Sequence, residues 1–275
     1  MTNGGINRGT DIYIVGLGIK TIQHITREAE QAMRCCTKVF FVDDGFGVEE
    51  FISSLGAEAR PMMHLYQEGG ERRRTYVAMA ASVLDAALDE GPVCFASYGH
   101  PQVYVHPTRL IQEGAALLGL TVRVLPGISA LDTIITDVGL DPGPQGLQMY
   151  EATDVLARAR PLQPDVPCLL WQVSAVETGL YSRQRGNAAR FARLQRHLLT
   201  IYPPEHQVTM VLSANYQLLD AWQESFPLGE LAERLAEGLQ AGTLYIPAVR
   251  PRPITDIGLL REANDPEHLR RITAG

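Results

Sequence analysis

The chain has 275 residues, of which 45% are hydrophobic and 20% charged, with a formal net charge of −7. That balance belongs to a globular protein long enough to bury a core without disulfide or metal staples, and it excludes collagen, coiled coil and wholesale disorder. A surface built to hold nucleic acid needs a Lys/Arg excess, so no nucleic-acid partner is expected. The cysteines, Cys35, Cys36, Cys94 and Cys168, show no C-x-x-C or Cys/His metal spacing. They point to a reducing compartment and no metal. The N-terminus, MTNGGINRGT, is polar and Gly-rich, unlike a signal peptide. No apolar run approaches the ~20 residues that cross a bilayer. A cytoplasmic protein without membrane contact is expected.

Asp11 to Val15 reads as a buried strand ending in Gly16-Leu17-Gly18. Thr26 to Cys36 follows as a helix, with Thr26 as N-cap before acidic residues. Lys38 to Val42 is a second strand, ending at Asp43-Asp44. Arg74 to Glu90 is a long amphipathic helix stopped by Gly91-Pro92. Val93 to Ser97 is a strand followed by Tyr98-Gly99-His100-Pro101. Pro107 to Leu118 is a helix, and Thr121 to Leu125 a fourth strand that runs into Pro126-Gly127-Ile128-Ser129-Ala130. Another helix follows to about Val138. This alternation predicts an α/β domain with a mainly parallel sheet over residues 1–140. The stretch Asp141 to Gly146, DPGPQG, marks a boundary. Beyond it, over residues 147–250, strands are predicted at Leu147 to Tyr150, Cys168 to Val173, Val208 to Ser213 and Gly242 to Ile246, and helices at Gly186 to Leu199 and Leu228 to Glu237. These fewer, more separated strands suggest an α+β arrangement. Residues 251–275 form a polar tail.

The first glycine turn, VGLGIK, carries Thr21 where a dinucleotide fingerprint requires a third glycine. Its glycines are therefore read as shaping a tight turn. The YGHP turn from Tyr98 to Pro101 and the LPGISA turn from Leu125 to Ala130 both follow buried strands. Ligands of open α/β sheets bind at such carboxyl ends, so two turns there suggest a shared pocket. The segment YQEGGERRRTY from Tyr66 to Tyr76 is unusual. Arg72 and Tyr76 share one helix face if the helix starts near Glu71. An arginine at a helix N-terminus opposes the dipole, which argues for a function. Arg73 and Arg74 are read as solvated. Arg190, Arg193 and Arg196 recur every three residues and are read as a solvated stripe.

These elements in order, with LWQV at Leu170 to Val173, resemble the tetrapyrrole methylase family of class III S-adenosylmethionine (SAM) methyltransferases over roughly Asp11 to Pro247. The resemblance implies a two-domain α/β fold, an N-terminal mainly parallel sheet domain plus a C-terminal α/β domain, with SAM in the cleft between them. Within the family, LYQEGGERRRTY, YGHPQVYVHP and MYEATD are similar to the borosin peptide backbone α-N-methyltransferases. By position, that resemblance implies Tyr66, Arg72 and Tyr76 as the catalytic group. It implies Tyr98, His100, Val103, Tyr104, Ser129, Ala130, Gln172 and Thr243 as SAM contacts. It also implies a homodimer. Met62-Met63-His64 depart from the pattern, where relatives carry further aromatics.

A peptide nitrogen is a poor nucleophile because its lone pair is delocalised into the carbonyl. It must be deprotonated while its oxygen is stabilised. Either Tyr66 or Tyr76 can be the base, with Arg72 lowering a phenol's pKa and stabilising the amide oxygen. The alternatives are methylation of a tetrapyrrole and an inert peptide-binding module; an NAD-dependent enzyme fails at Thr21. The residues after Pro247 are charged and hold no run of Val, Ile, Leu or Gly suited to repeated N-methylation. They are expected to form at most one or two short helices against the body. A separately encoded precursor peptide, methylated in trans, is therefore expected.

Overall fold

The computed structural model describes residues 9–238 and 242–273; the N-terminal stretch before residue 9, read above as unlike a signal peptide, lies outside them. Five short, mostly apolar runs form the first sheet: β1 (Ile12–Gly16), β2 (Lys38–Val42), β3 (Glu58–Pro61), β4 (Val93–Ser97) and β5 (Val122–Val124). Their order is β3-β2-β4-β1-β5, and every pairing is parallel. Central β1 and β4 are buried at every position, as strands covered on both faces must be. One face is covered by α1 (Arg27–Arg34) and α2 (Val48–Ser54), through Met33, Val48 and Ile52. The other face is covered by α3 (Arg72–Glu90) and α4 (His106–Leu118), through Met79, Val83 and Ile111. The Thr26 hydroxyl caps α1 by accepting from the Ala29 N–H at 3.1 Å, as its sequence predicts.

The last helix of this half, α5 (Ala130–Asp137), starts from a capping box. The Ser129 hydroxyl accepts from the Asp132 N–H, and the Asp132 carboxylate accepts from the Ser129 N–H at 2.7 Å. The chain then builds β6 (Gln148–Glu151), α6 (Ala152–Arg158), β7 (Cys168–Trp171), α7 (Ala188–Leu199), β8 (Gln207–Leu212), β9 (Trp222–Pro227), α8 (Leu231–Glu237) and β10 (Thr243–Ile246). The second sheet is mixed, in the order β6-β7-β10-β8-β9, and only β6 and β7 pair in parallel. Phe191, Leu194, Leu198, Leu231 and Leu235 pack one face of it. The opposite face, through Leu169, Trp171 and Val211, packs on Ile134 of α5. That helix therefore seals the two halves together.

Four elements departed from the sequence expectation. The α2, β3, α6 and β9 segments were not predicted. Strand β9, WQESFP, lies at a sheet edge with one buried residue, so no alternation marks it. Two helices near the C-terminus, α9 (Ile257–Ala263) and α10 (Pro266–Thr273), bury no residue, so they do not lie against the body as expected. Among the described residues no helix is long and apolar enough to cross a membrane.

Candidate active site

The carboxyl ends of β1, β2, β4 and β5 open on one edge of the first sheet. Three glycines meet there backbone to backbone. A Cβ on Gly16 would lie 2.3 Å from the Gly99 carbonyl oxygen, and one on Gly127 would lie 2.8 Å from Gly16 Cα. The GLG turn is consumed by the protein itself. The Gly18 N–H donates to the Gly99 carbonyl at 3.2 Å, and the Gly99 N–H to the Gly18 carbonyl at 2.9 Å. The Ile19 and Lys20 N–H groups donate to His24 Nδ1 at 3.3 and 3.2 Å. Burial, then the Lys20 charge, lowers the His24 pKa, which suits a neutral ring accepting at Nδ1. The amides of Leu17, Gly18, Ile19 and Lys20 all donate within the chain, so the turn is architectural.

Two adjoining cavities fill the cleft between the sheets. The first, of about 370 Å³, is lined by all eight of the expected SAM contacts: Tyr98, His100, Val103, Tyr104, Ser129, Ala130, Gln172 and Thr243. Ile19, Ile134, Trp171 and Val211 give it an apolar wall. Gly99 belongs to its cradle, where an added Cβ would lie 3.6 Å from Ile19 Cδ1. Tyr104 and Gln172 both have positive φ, 58° and 55°, and face the cavity from opposite halves. The Tyr104 ring sits 5.6 Å from that of Trp171. Burial, and then Glu151 and Asp154, push the Tyr104 phenol up to about 12. Ser129 lines the cavity while its hydroxyl donates to the Asp132 carboxylate and accepts from the Asp132 N–H in the capping box.

The second cavity, of about 550 Å³, is lined by Tyr66, Arg72 and Tyr76, together with Asp43, Tyr98, Gln172 and Tyr181. Tyr98 and Gln172 line both cavities, so the two adjoin at these side chains. Met63, in the segment where the sequence departs from the resemblance, lies on this wall. The Tyr66 ring packs edge-on against Tyr76 at 6.3 Å and against Tyr181 at 4.8 Å. Tyr76 also contacts His106 at 5.6 Å.

The segment from Tyr66 to Tyr76 is fixed from both sides. Arg72 is the first residue of α3, as its helix-face reading required. Its N–H, one of the orphan donors of a helix start, donates to the Gly179 carbonyl at 3.0 Å. Arg73 is solvated and Arg74 pairs with Glu71 at 3.1 Å on the surface. The basic stripe on α7 is only partly solvated. Arg196 is exposed, but Arg190 is half-buried and its Nε donates to the Val176 carbonyl at 3.1 Å.

The electrostatics revise one expectation. Burial pushes the Tyr66 phenol well above its ordinary value, and Tyr76 beside it adds to the rise; Arg72 pulls it down but does not prevail. The guanidinium therefore does not make Tyr66 an easy base. Tyr98 is pushed up to about 12 by burial and by the Asp43 and Asp44 carboxylates. Asp43 itself is raised by burial, and its Oδ2 is buried with no hydrogen-bond partner. Asp43 and Tyr181 were missed as cavity residues. Asp43 stood in the sequence only as the end of a strand, and Tyr181 carries no local motif.

Residues 11–216 match the family model described as Tetrapyrrole (Corrin/Porphyrin) Methylases. A methyltransferase/ribosomally synthesized cyclic peptide dendrothelin A precursor from Dendrothele bispora is 31% identical over 91% of this chain and 61% of its own length. A methyltransferase/ribosomally synthesized type I borosin cyclic peptide precursor from Serendipita vermifera subsp. bescii is 31% identical over 95% of this chain and 64% of its own length. The chain thus spans about three-fifths of the curated relatives it matches. Among solved structures, a uroporphyrin-III-C-methyltransferase from Thermus thermophilus superposes with a TM-score of 0.62 at 18% identity, covering 93% of this chain and 96% of that one. The methyltransferase CobJ gives 0.59 at 15% identity, covering 88% and 96%. These likenesses establish the fold.

Proposed function

We propose that this chain, which belongs to the tetrapyrrole (corrin/porphyrin) methylase family, is a SAM-dependent methyltransferase that N-methylates backbone amides of a precursor peptide. The observation that carries the reading is the junction of the two cavities. The expected SAM residues line one, the Tyr66–Arg72–Tyr76 group lines the other, and Tyr98 and Gln172 line both. The names of the relatives support a peptide substrate, since they describe methyltransferases joined to cyclic peptide precursors.

Tyr98, His100, Val103, Tyr104, Ser129 and Ala130 would hold SAM from the first half, and Gln172 and Thr243 from the second. The apolar wall and the glycine cradle of that cavity fit such a ligand. When bound, SAM supplies an electrophilic methyl on a sulfonium, leaving as the neutral thioether. The chain's own residues prepare the nitrogen. Tyr66, kept protonated by burial, donates to the amide oxygen. Arg72 beside it stabilises the charge that develops there. Tyr76, as general base, accepts the amide proton, so nitrogen regains its lone pair as the methyl arrives. Proton acceptance is assigned to Tyr76 because burial holds Tyr66 protonated as a donor. In this reading the enzyme is a homodimer, and the peptide is a separate chain methylated in trans.

Methylation of a tetrapyrrole is the second reading, favoured by the solved structures of like fold. Asp43 and Asp44 on the substrate cavity count against it, since tetrapyrrole substrates are polycarboxylates and like charges repel. Calorimetry and absorbance titration with SAM and uroporphyrinogen, beside peptide assays in +14 Da steps, separate the two. The proposal expects SAM binding and mass steps on peptide alone. Turnover of uroporphyrinogen without any on peptide would reverse the assignment. A third arm, His100→Leu, is expected to weaken SAM binding while the fold is retained; unchanged affinity would count against the cofactor placement.

A further inference from the structure

We propose that Tyr181 is the positioning residue for Tyr66, holding that ring and the turn into α3 from the opposite half of the molecule. The inference rests on the reading of Tyr66, Arg72 and Tyr76 as the catalytic group. Nothing local in the sequence links residues 66–72 to residues 179–183, yet the two segments are laced together. The Gly69 N–H donates to the Tyr181 carbonyl and the Tyr181 N–H to the Gly70 carbonyl, both at 2.8 Å. Glu71 and Leu180 bridge in antiparallel fashion. Gly69, at φ 74°, makes the bend that turns its N–H toward this partner.

The side chains complete the strap. The Glu68 carboxylate accepts from the Ser182 hydroxyl and, at 2.9 Å, from the Arg183 N–H. Arg183 Nε in turn donates to the Tyr181 hydroxyl at 3.1 Å. Both backbone polar groups and the hydroxyl of Tyr181 are thus committed to the strap. What remains is its ring, which packs on Tyr66 at 4.8 Å with the planes tilted by 35°. Tyr76 meets Tyr66 edge-on at 84°. Tyr66 is therefore wedged between two rings, one from each half. Aromatic pairs in such offset and edge geometries fix orientation as well as burying surface. Removing the Tyr181 ring frees Tyr66 to change rotamer, and a misplacement near 1 Å can cost ~100-fold in rate.

The test uses the full chain with 3-fluorotyrosine incorporated at Tyr66, and separately at Tyr202, which is buried in the core of the second half, as a distant reporter. In Tyr181→Leu, the fluorine resonance of Tyr66 is expected to shift and broaden, while that of Tyr202 and the Tm stay at their parent values. Using the unlabelled protein, kcat for the peptide falls ~10- to 100-fold with KM and SAM affinity within about twofold. Tyr181→Phe keeps the ring and restores both the Tyr66 resonance and most of kcat. If Tyr181→Leu does not fold, Glu68→Ala loosens the same strap from the surface and is expected to move the Tyr66 resonance in the same direction. An unmoved Tyr66 resonance in folded Tyr181→Leu, or in folded Glu68→Ala, overturns the proposal. So does a uniform loss of Tm, kcat and SAM affinity without rescue by Tyr181→Phe, which marks a structural role only. Absence of any peptide turnover in the parent enzyme would instead overturn the substrate reading, and the fluorine signals would still decide the role of Tyr181.

Discussion

Tyr66 and Tyr76 touch each other and line one cavity, yet the site treats them differently. Burial makes Tyr66 a persistent donor, while Tyr76 sits on the first turns of α3, one turn beyond Arg72. Tyr76→Phe is therefore expected to lower kcat by roughly 10²–10⁴-fold, the span for loss of a general base. Arg72→Lys is expected to cost about 10²-fold, because a point charge replaces a planar fork. Single-turnover kinetics with SAM affinity measured in parallel check both; wild-type rates in either variant contradict the assignment. Asp43 offers a test independent of substrate. Its folded pKa is raised above the ordinary value of 3.8 by burial. A raised carboxylate stabilises the fold fully below its unfolded pKa and loses that contribution as pH rises through the folded value. Asp43→Asn is thus predicted to gain Tm relative to the parent as pH goes from 4 to 7, in parallel thermal scans. A difference that stays flat or falls across that window contradicts the burial argument. That Tyr66, Arg72 and Tyr76 would come together was legible because they sit on one short segment. Tyr181 was not, since a ring contact between segments some 115 residues apart leaves no local pattern.

At the scale of elements, the site is a set of strand ends held in register by glycine contacts. Gly127 is one of these, with a virtual Cβ 2.9 Å from the Gly99 carbonyl and 2.8 Å from Gly16 Cα. Both neighbours are backbone and cannot yield. Gly127→Ala is expected to cost about 1–3 kcal/mol by overpacking and to lower Tm by several degrees, with weaker SAM binding because the LPGISA and YGHP turns are pushed apart. Scanning calorimetry with and without SAM checks it; an unchanged Tm would show that the turns have slack. Ser129→Ala loses the α5 capping box and is expected to cost ~1 kcal/mol. The sequence exposed this frame well, because buried parallel strands are continuous apolar runs and Thr26 and Ser129 are recognisable helix starts. It concealed α2, which follows Gly47 in a left-handed conformation without a side-chain cap. It also concealed β9, whose residues are set by pairing with β8 at the sheet edge and not by burial.

Across the whole molecule, function depends on how the two sheets are joined. Ile134 on α5 packs into the face of the second sheet made by Leu169, Trp171 and Val211. Ser213 hydrogen-bonds Asp137, and Gln223 donates to the Asp137 carbonyl at 2.7 Å. On the other side of the cleft the strap from Glu68 to Arg72 meets residues 179–183. Between these seams lie both cavities, so under the proposed function methyl donor and acceptor meet where the halves join. The central claim is that the acceptor is a peptide backbone nitrogen. It is tested most directly by co-expressing the chain with the small open reading frames neighbouring its gene, then locating added mass by intact and fragment mass spectrometry. The account predicts +14 Da steps on backbone nitrogens of a separate peptide, abolished by Arg72→Lys while SAM still binds. Methyl groups found on the enzyme's own C-terminal residues would contradict methylation in trans, and methyl transfer only to a tetrapyrrole would contradict the peptide claim itself.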